Sequence, residues 1–208
     1  MGSGLVIGGG AAGLAAAIAA AECGDTVTVA EKMDRVGKKI LATGNGRCNL
    51  MNTGAPRYPG NAAFAADVLS HCGAEAQKAF WEHLGLRLRQ EEAGRVYPVS
   101  SQASSVLDAL RLQLTALHVR VVTGVSITAL QRENDGWTAL SADGQQFRAN
   151  RVIISGGGCA QPKLGSDGSA LRLLTNLGCP ATPFAPALTQ IITCLLYTSD
   201  AADEARSV

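Results

Sequence analysis

Three glycines and one acid carry the first chemistry in this chain. Gly8, Gly10 and Gly13 stand as G-x-G-x-x-G, and Glu31 follows eighteen residues after the last of them. In that spacing the first glycine permits a sharp turn and the second lets a phosphate approach the backbone. The third lets a helix pack closely on a strand. Ala11 and Ala12 then open a helix whose free N–H groups and positive dipole end face the phosphates. An acid at the end of the next strand accepts both hydroxyls of a ribose. Glycine turns are common, so the triplet alone is weak; with strand, helix and acid in register it predicts a dinucleotide site.

A second group comes directly after. Residues 33–54, MDRVGKKILATGNGRCNLMNTG, lack clear periodicity, and an irregular stretch of that length in a compact domain is functional or disordered. Arg35, Lys38, Lys39 and Arg47, with Lys32 before them, give it positive charge suited to a diphosphate. Thr43, Gly44, Asn45, Gly46, Cys48 and Asn49 add backbone-approach and hydrogen-bonding positions. The expectation is a loop crossing the cofactor; the plainer alternative is a solvated basic loop. A third group is Ser155 running into Gly156, Gly157 and Gly158, where a strand end beside the first turn would bring up a second backbone segment.

Other chemistry is poorly represented. His71, His83 and His118 lack carboxylates at useful spacing, and no Ser/His/Asp set or metal-ligand cluster suggests itself. The cysteines at 23, 48, 72, 159, 179 and 194 are scattered without C-x-x-C, which argues against zinc, a redox dithiol or a secreted disulfide framework. Tyr97 and Cys48 are the remaining side chains considered near a redox centre.

The elements that must position these groups read as a Rossmann-like α/β fold with additions. Residues 5–32 give strand, glycine turn, alanine-rich helix and second strand. Residues 61–84 read as two helices broken near Gly73, with Phe64, Val68 and Cys72 on one face and Ala76, Phe80 and Leu84 on another. LRLRQEEAGRVYP reads as a hairpin turning at Ala93-Gly94. Ser101 or a neighbouring serine caps a helix with the apolar stripe Ala103, Val106, Leu107, Leu110, Leu114 and Leu117. His118–Val122 is a strand. Turn signals at Asn134-Asp135-Gly136 and Asp143-Gly144 divide residues 125–149 into a three-stranded meander. Arg151–Ser155 is a strand and residues 167–177 a helix. The predicted organisation is therefore one FAD- or NAD-type nucleotide domain over 1–190, with a helical and hairpin insertion at 55–100 and the meander at 125–149.

Composition sets outer limits. The chain has 208 residues, 47% hydrophobic and 17% charged, which describes a globular protein with a real core. Its 24 glycines exceed the usual share of about 7% and cluster near 8–13, 44–46 and 156–158, as close approaches to one ligand would require. A net charge of +1 and sparse aromatics give no reason to expect nucleic acid or a membrane surface as partner. Residues 5–21 lack a basic flank and hold several glycines, so they read as nucleotide turn and not as a leader or span, and a cytoplasmic location is expected. The run CLLYTSDAADE from Cys194 fits no element. One reverse translation of it is a transposase adapter used in preparing sequencing libraries, so residues 194–208 are expected to be non-native and the chain an N-terminal fragment.

The segments IGGGAAGLAAAIAA, VTVAEK, GKKILATGNGRCN, GRVYPVSSQASSVLDAL and ISGGGCAQPKLGSDG, in that order, resemble the two-dinucleotide-binding-domain flavoproteins. Within these the chain resembles the bacterial aminoacetone-oxidase-like or dehydro-bile-acid-reductase-like NAD(P)/FAD-dependent oxidoreductases. GKKILATGNGRCN is the most specific piece. The resemblance implies non-covalent FAD. Gly8, Gly10 and Gly13 would lie at the pyrophosphate, Glu31 at the adenosine ribose, and Lys32 and Lys39 nearby. Gly44, Gly46, Arg47 and Asn49 would run towards the flavin. Ile127 would meet the adenine, and Ser155, Gly156 and Gly157 would make a second crossing. It further implies hydride transfer to or from a small-molecule substrate, with NAD(P)H as candidate reductant, and further domains beginning beyond Pro186. Ser155 and the LGSDGSA loop depart from the commoner family residues. Two alternatives stand beside it: a nucleotide-binding module without turnover, and a flavoprotein that modifies tRNA.

Overall fold

The computed structural model describes residues 2–55, 58 and 60–185. Its first strand, β1 (Ser3–Ile7), points Leu5 and Ile7 to one face and Val6 to the other, and all three are buried. Helix α1 (Ala11–Glu22) comes after the glycine turn. Its inward residues Gly13, Leu14, Ala17 and Ile18 recur at helical spacing, and their small size lets the helix lie close to the sheet. β2 (Thr26–Glu31) returns with Val27 and Val29 beneath that helix. The predicted irregular stretch is more ordered than expected. It contains a short helix, α2 (Lys38–Ala42), a 3₁₀ turn at Thr43–Gly46 and the two-residue strand β3 (Met51–Asn52). Lys38–Ala42 is too short to show a period, so composition concealed it.

Helices α3 (Ala62–His71) and α4 (Ala74–His83) break at Gly73 as predicted, but neither buries a residue fully, and Phe64 is 65% exposed. β4 (Leu88–Gln90) and β5 (Arg95–Pro98) form the predicted antiparallel hairpin, with β3 adding to its far side. Helix α5 (Ala103–Ala116) buries Ala103, Val106, Leu107, Leu110 and Leu114. Its cap differs from expectation: Gln102 stands at the N-cap without a side-chain bond, and Ser101 lies in a left-handed conformation one residue earlier. β6 (Arg120–Thr123) begins two residues later than read, because His118 takes a left-handed turn.

The meander forms as β7 (Ile127–Glu133), β8 (Gly136–Ser141) and β9 (Gln146–Ala149), and it leads into β10 (Arg151–Ile154). A last helix, α6 (Ser169–Asn176), closes the described part. The central sheet runs β10-β1-β2-β6, all parallel, with Leu5 opposite Thr28 and Val152. Helices α1 and α5 cover the face that carries Val6, Val27 and Val29. The meander and Leu173 of α6 cover the face that carries Leu5, Ile7 and Ala30. This is a Rossmann-like α/β arrangement, and the strand ends of β1, β2 and β10 meet at one edge of the sheet. No helix among the described residues is long and apolar enough to cross a membrane. The stretch read as adapter-derived, and the segment beyond Pro186, lie outside the described residues.

Candidate dinucleotide-binding site

The glycine turn is built from both ends of the sequence. Gly8 takes φ +106, and its N–H donates to the carbonyl of Ala30 at 2.9 Å. The N–H of Ser155 donates to the carbonyl of Ile7 at 2.8 Å, and the Ser155 hydroxyl reaches the carbonyls of Ile7 and Gly8 at 3.1 and 3.0 Å. A Cβ on Gly8 would lie 2.8 Å from the Gly156 Cα, and one on Gly13 only 1.9 Å from the Gly8 oxygen. Both positions are glycine because the protein's own backbone fills the space. Gly10 is different. Its φ of −83 suits any residue, and a Cβ there would meet nothing within 4 Å.

That open side faces a cavity of about 290 Å³ at the strand ends. Gly8, Gly10, Ala11 and Ala12 form one wall, where α1 begins without a side-chain cap or an acid in its first turn. Its leading N–H groups therefore remain available to an anion. Glu31, Lys32, Lys39 and Ile127 form other walls, with Ser155, Gly156 and Gly157 opposite. Gly13, Gly44, Gly46, Arg47 and Asn49 are not on its walls, and neither are Tyr97 and Cys48.

Glu31 is 8% exposed and already anchored. Its Oε2 accepts the Gly9 N–H at 2.6 Å and its Oε1 accepts the Met33 N–H at 2.8 Å. A carboxylate has about four lone-pair sites, so two bonds orient the group and leave acceptor capacity towards the cavity. The lysines are less free than their charges suggested. The Lys32 ammonium pairs with Asp167 at 2.6 Å and donates to Ser169 at 3.1 Å; Lys39 donates to the Ser166 hydroxyl. The Lys32 hydrogen bond, with further bonds from Ser169, holds the Asp167 carboxyl well below the usual carboxylate range. Lys38 turns to Asp34 at 2.5 Å. Lys39 thus carries a cavity-lining ammonium whose bond is to a neutral hydroxyl.

Sequence reasoning missed the contribution of Ser166 and Ser169, which lie on the loop and helix after β10. It also missed Gly9, whose N–H orients the acid. The PKLGSDGS segment held the signal, as glycines and hydroxyls just past a strand end, but its distance from the first turn hid the contact. Arg47 stacks on the Tyr97 ring at 4.1 Å and pairs with Glu91. These are its two side-chain partners within the described residues.

The family described as HI0933-like protein Rossmann domain matches residues 3–187. The chain belongs to that family. Among curated proteins, it is 45% identical over 191 residues to a 3-dehydro-bile acid delta(4,6)-reductase of Clostridium scindens, covering 89% of this chain and 46% of the relative. A ribosomal RNA dihydrouridine synthase of Haemophilus influenzae is 25% identical over 86% of this chain and 46% of its own length. The chain thus spans about half the length of the curated relatives it matches. A flavocytochrome c3 fumarate reductase in its open conformation superposes with a TM-score of 0.61 at 17% identity, over 85% of this chain and 40% of the other, which establishes a shared fold.

Proposed function

We propose that this HI0933-like chain supplies the FAD grip of a flavin-dependent oxidoreductase that adds hydrogen to an unsaturated small molecule, with NAD(P)H as reductant. The observation that carries the reading is Gly10. Its missing side chain serves neither the local conformation nor the packing, and the space it leaves open lies between an uncapped helix start and an anchored acid. A nucleotide diphosphate fits that combination: N–H donors and the Lys39 ammonium for the phosphates, and the Glu31 carboxylate for ribose hydroxyls. The residues present fit FAD in that sense. The cavity volume is at the low end for small-molecule sites, about 300 Å³, so the described walls take part of a dinucleotide and not the whole.

When bound, FAD supplies the hydride chemistry. The chain's own residues bind and orient. Gly8, Gly10 and the α1 N-terminus would hold the diphosphate, Glu31 the ribose, and Gly156 and Gly157 the second backbone crossing. Ile127 would present its backbone to the adenine. Gly44, Gly46 and Asn49 are proposed to lie along the cofactor beyond this cavity. The names of the relatives support a reductase, since each denotes hydrogen added to an unsaturated substrate. A second reading, reduction of a base in RNA, draws on the ribosomal RNA relatives, which share 25% and 23% identity with this chain. The 45% relative and a net charge of +1 favour a small molecule. The five described cysteines are unpaired, which supports a reducing, cytoplasmic setting.

The test is spectroscopic. The purified chain is expected to carry yellow flavin bands that bleach on adding NADH or NADPH without air and return with oxygen. A colourless chain that takes up no added FAD would refute the cofactor assignment. Flavin that neither nicotinamide reduces would refute the NAD(P)H linkage and favour a binding module.

A further inference from the structure

The turn after α2 takes a costly conformation, and a charged clamp away from the cavity is built on it. Gly44, Asn45, Gly46 and Cys48 have φ of +56, +53, +81 and +58, so two residues with side chains sit in the left-handed region. Such conformations persist only where the surroundings over-determine them. Inside the turn, the N–H of Arg47 donates to the Gly44 carbonyl at 3.1 Å and that of Cys48 to the Thr43 carbonyl at 3.0 Å. These bonds are local and would not alone fix the turn to the body of the protein.

Arg47 does that. Its guanidinium lies over the buried ring of Tyr97 on β5 and pairs with Glu91 at the hairpin, while Glu91 also receives Arg89 at 2.7 Å. Arg89 in turn donates to Ser101 at 3.0 Å. A planar cation on an aromatic face with a carboxylate at its edge is a geometry lysine cannot reproduce. At the other end, α2 is tied to the glycine turn by the Gly37 N–H, which donates to the Gly9 carbonyl at 2.8 Å. The turn is therefore strung between the nucleotide cavity and the hairpin. A Cβ on Gly46 would meet nothing within 4 Å, and its φ of +81 already favours glycine, so this backbone is uncovered on that side.

We propose that Arg47 is a positioning residue: through Tyr97 and Glu91 it locks the Gly44–Cys48 turn so that the open backbone at Gly46 meets the flavin half of the cofactor, and it does not itself bind that cofactor. This rests on the FAD reading and extends it from the cavity to the hairpin. It removes Arg47 from the group of diphosphate-neutralising cations and gives the β3-β5-β4 sheet a role in cofactor placement.

The experiment compares the wild-type chain with Arg47→Met, Arg47→Lys, Glu91→Gln and the Arg47→Met/Glu91→Gln pair, each checked for native circular dichroism. Two probes are titrated, ADP and FAD, and alkylation of Cys48 is followed by peptide mapping without cofactor. Cys48 is buried in the turn, so its labelling rate reports how firmly the turn is held. Arg47→Met and Glu91→Gln are each expected to weaken FAD roughly 10-fold, the scale of one lost charge-assisted hydrogen bond. They should leave ADP unchanged, speed Cys48 labelling, and combine non-additively; Arg47→Lys should fail to rescue. Loss of both ADP and FAD would show a merely structural role and overturn the proposal. So would an Arg47 effect on FAD with Glu91→Gln silent and Cys48 labelling unmoved, which marks a direct ligand. Unchanged FAD affinity in every variant overturns it too. A wild type that takes ADP but not FAD refutes the flavin reading instead, and the clamp then stands or falls on the labelling rate alone.

Discussion

Gly10→Ala and Gly13→Ala add the same methyl group one helical turn apart, and the structure predicts opposite consequences. At Gly10 the new Cβ enters space with no neighbour within 4 Å, and φ −83 is ordinary for alanine. Alanine is a poorer N-cap than glycine, at a cost of roughly 0.5–1 kcal/mol. Reduced freedom of the unfolded chain offsets this by roughly 0.4–1 kcal/mol. The net change is therefore within about 0.5 kcal/mol, or some 1–2 °C in Tm for a chain of this size. At Gly13 the Cβ would lie 1.9 Å from the Gly8 carbonyl oxygen and 2.5 Å from the Ser155 hydroxyl. Helix α1 must retreat from β1, and overpacking of that kind costs about 1–3 kcal/mol or more, lowering Tm by roughly 3–10 °C. Nucleotide binding is expected to fail at Gly10 despite the retained stability, by at least about 10-fold in the ADP dissociation constant. Thermal denaturation by circular dichroism and ADP titration by calorimetry give both numbers. Full ADP affinity in Gly10→Ala would refute the assignment of the open side to a phosphate. An equal loss of Tm at both positions would refute the claim that Gly10 is free of packing.

Three further outcomes are expected from the same geometry. Glu31→Gln keeps shape but cannot accept equally from Gly9 and Met33, so it should lose about 1–3 kcal/mol in denaturant unfolding as well as nucleotide affinity; loss of affinity alone would show that the two backbone bonds carry no stability. Asp167 has a depressed folded-state pKa, so its pairing with Lys32 stabilises the protein above the unfolded carboxylate value of about 3.9 and is lost as pH falls below it. Asp167→Asn should therefore narrow the Tm difference between pH 6 and pH 3 slightly, because the group is partly exposed and solvent-screened; a wider difference would contradict the pairing. Phe64→Ser on α3 should change stability by no more than about 0.5 kcal/mol, since the ring is largely exposed; a loss above about 2 kcal/mol in urea unfolding would mean the ring is buried after all.

The β1–α1–β2 unit was legible because three independent signals coincide there: the continuous apolar run Leu5–Ile7, the glycine spacing, and Glu31 at a strand end. The stripe of α5 was legible for the same reason, since five residues at helical spacing all turned inward. The paired faces of α3 were not, because Phe64 and Val68 carry a helical period whether or not a partner covers them. Periodicity reports a helix, and only tertiary contact reports burial. The second point concerns charge. The sequence shows Lys32, Lys39 and Arg47 as a local group of cations, but their partners Asp167, Ser166 and Glu91 lie 135, 127 and 44 residues away in the chain, where no local pattern exposes them. Composition shows how many charges a loop has, and the fold decides which are already engaged.

The bond from Ser155 back to Ile7 and Gly8 also sets a timetable. The first turn emerges from the ribosome early, yet the hydroxyl that braces it arrives 147–148 residues later. At about 5–20 residues per second the interval is roughly 7–30 s. Through that interval the glycine turn lacks its brace, the β1 edge lacks β10, and Leu5 and Ile7 lack the meander that shields them. A nascent chain therefore passes through a stage with an apolar strand open to misassociation, and the cavity at the strand ends gains its Ser155–Gly157 wall only late.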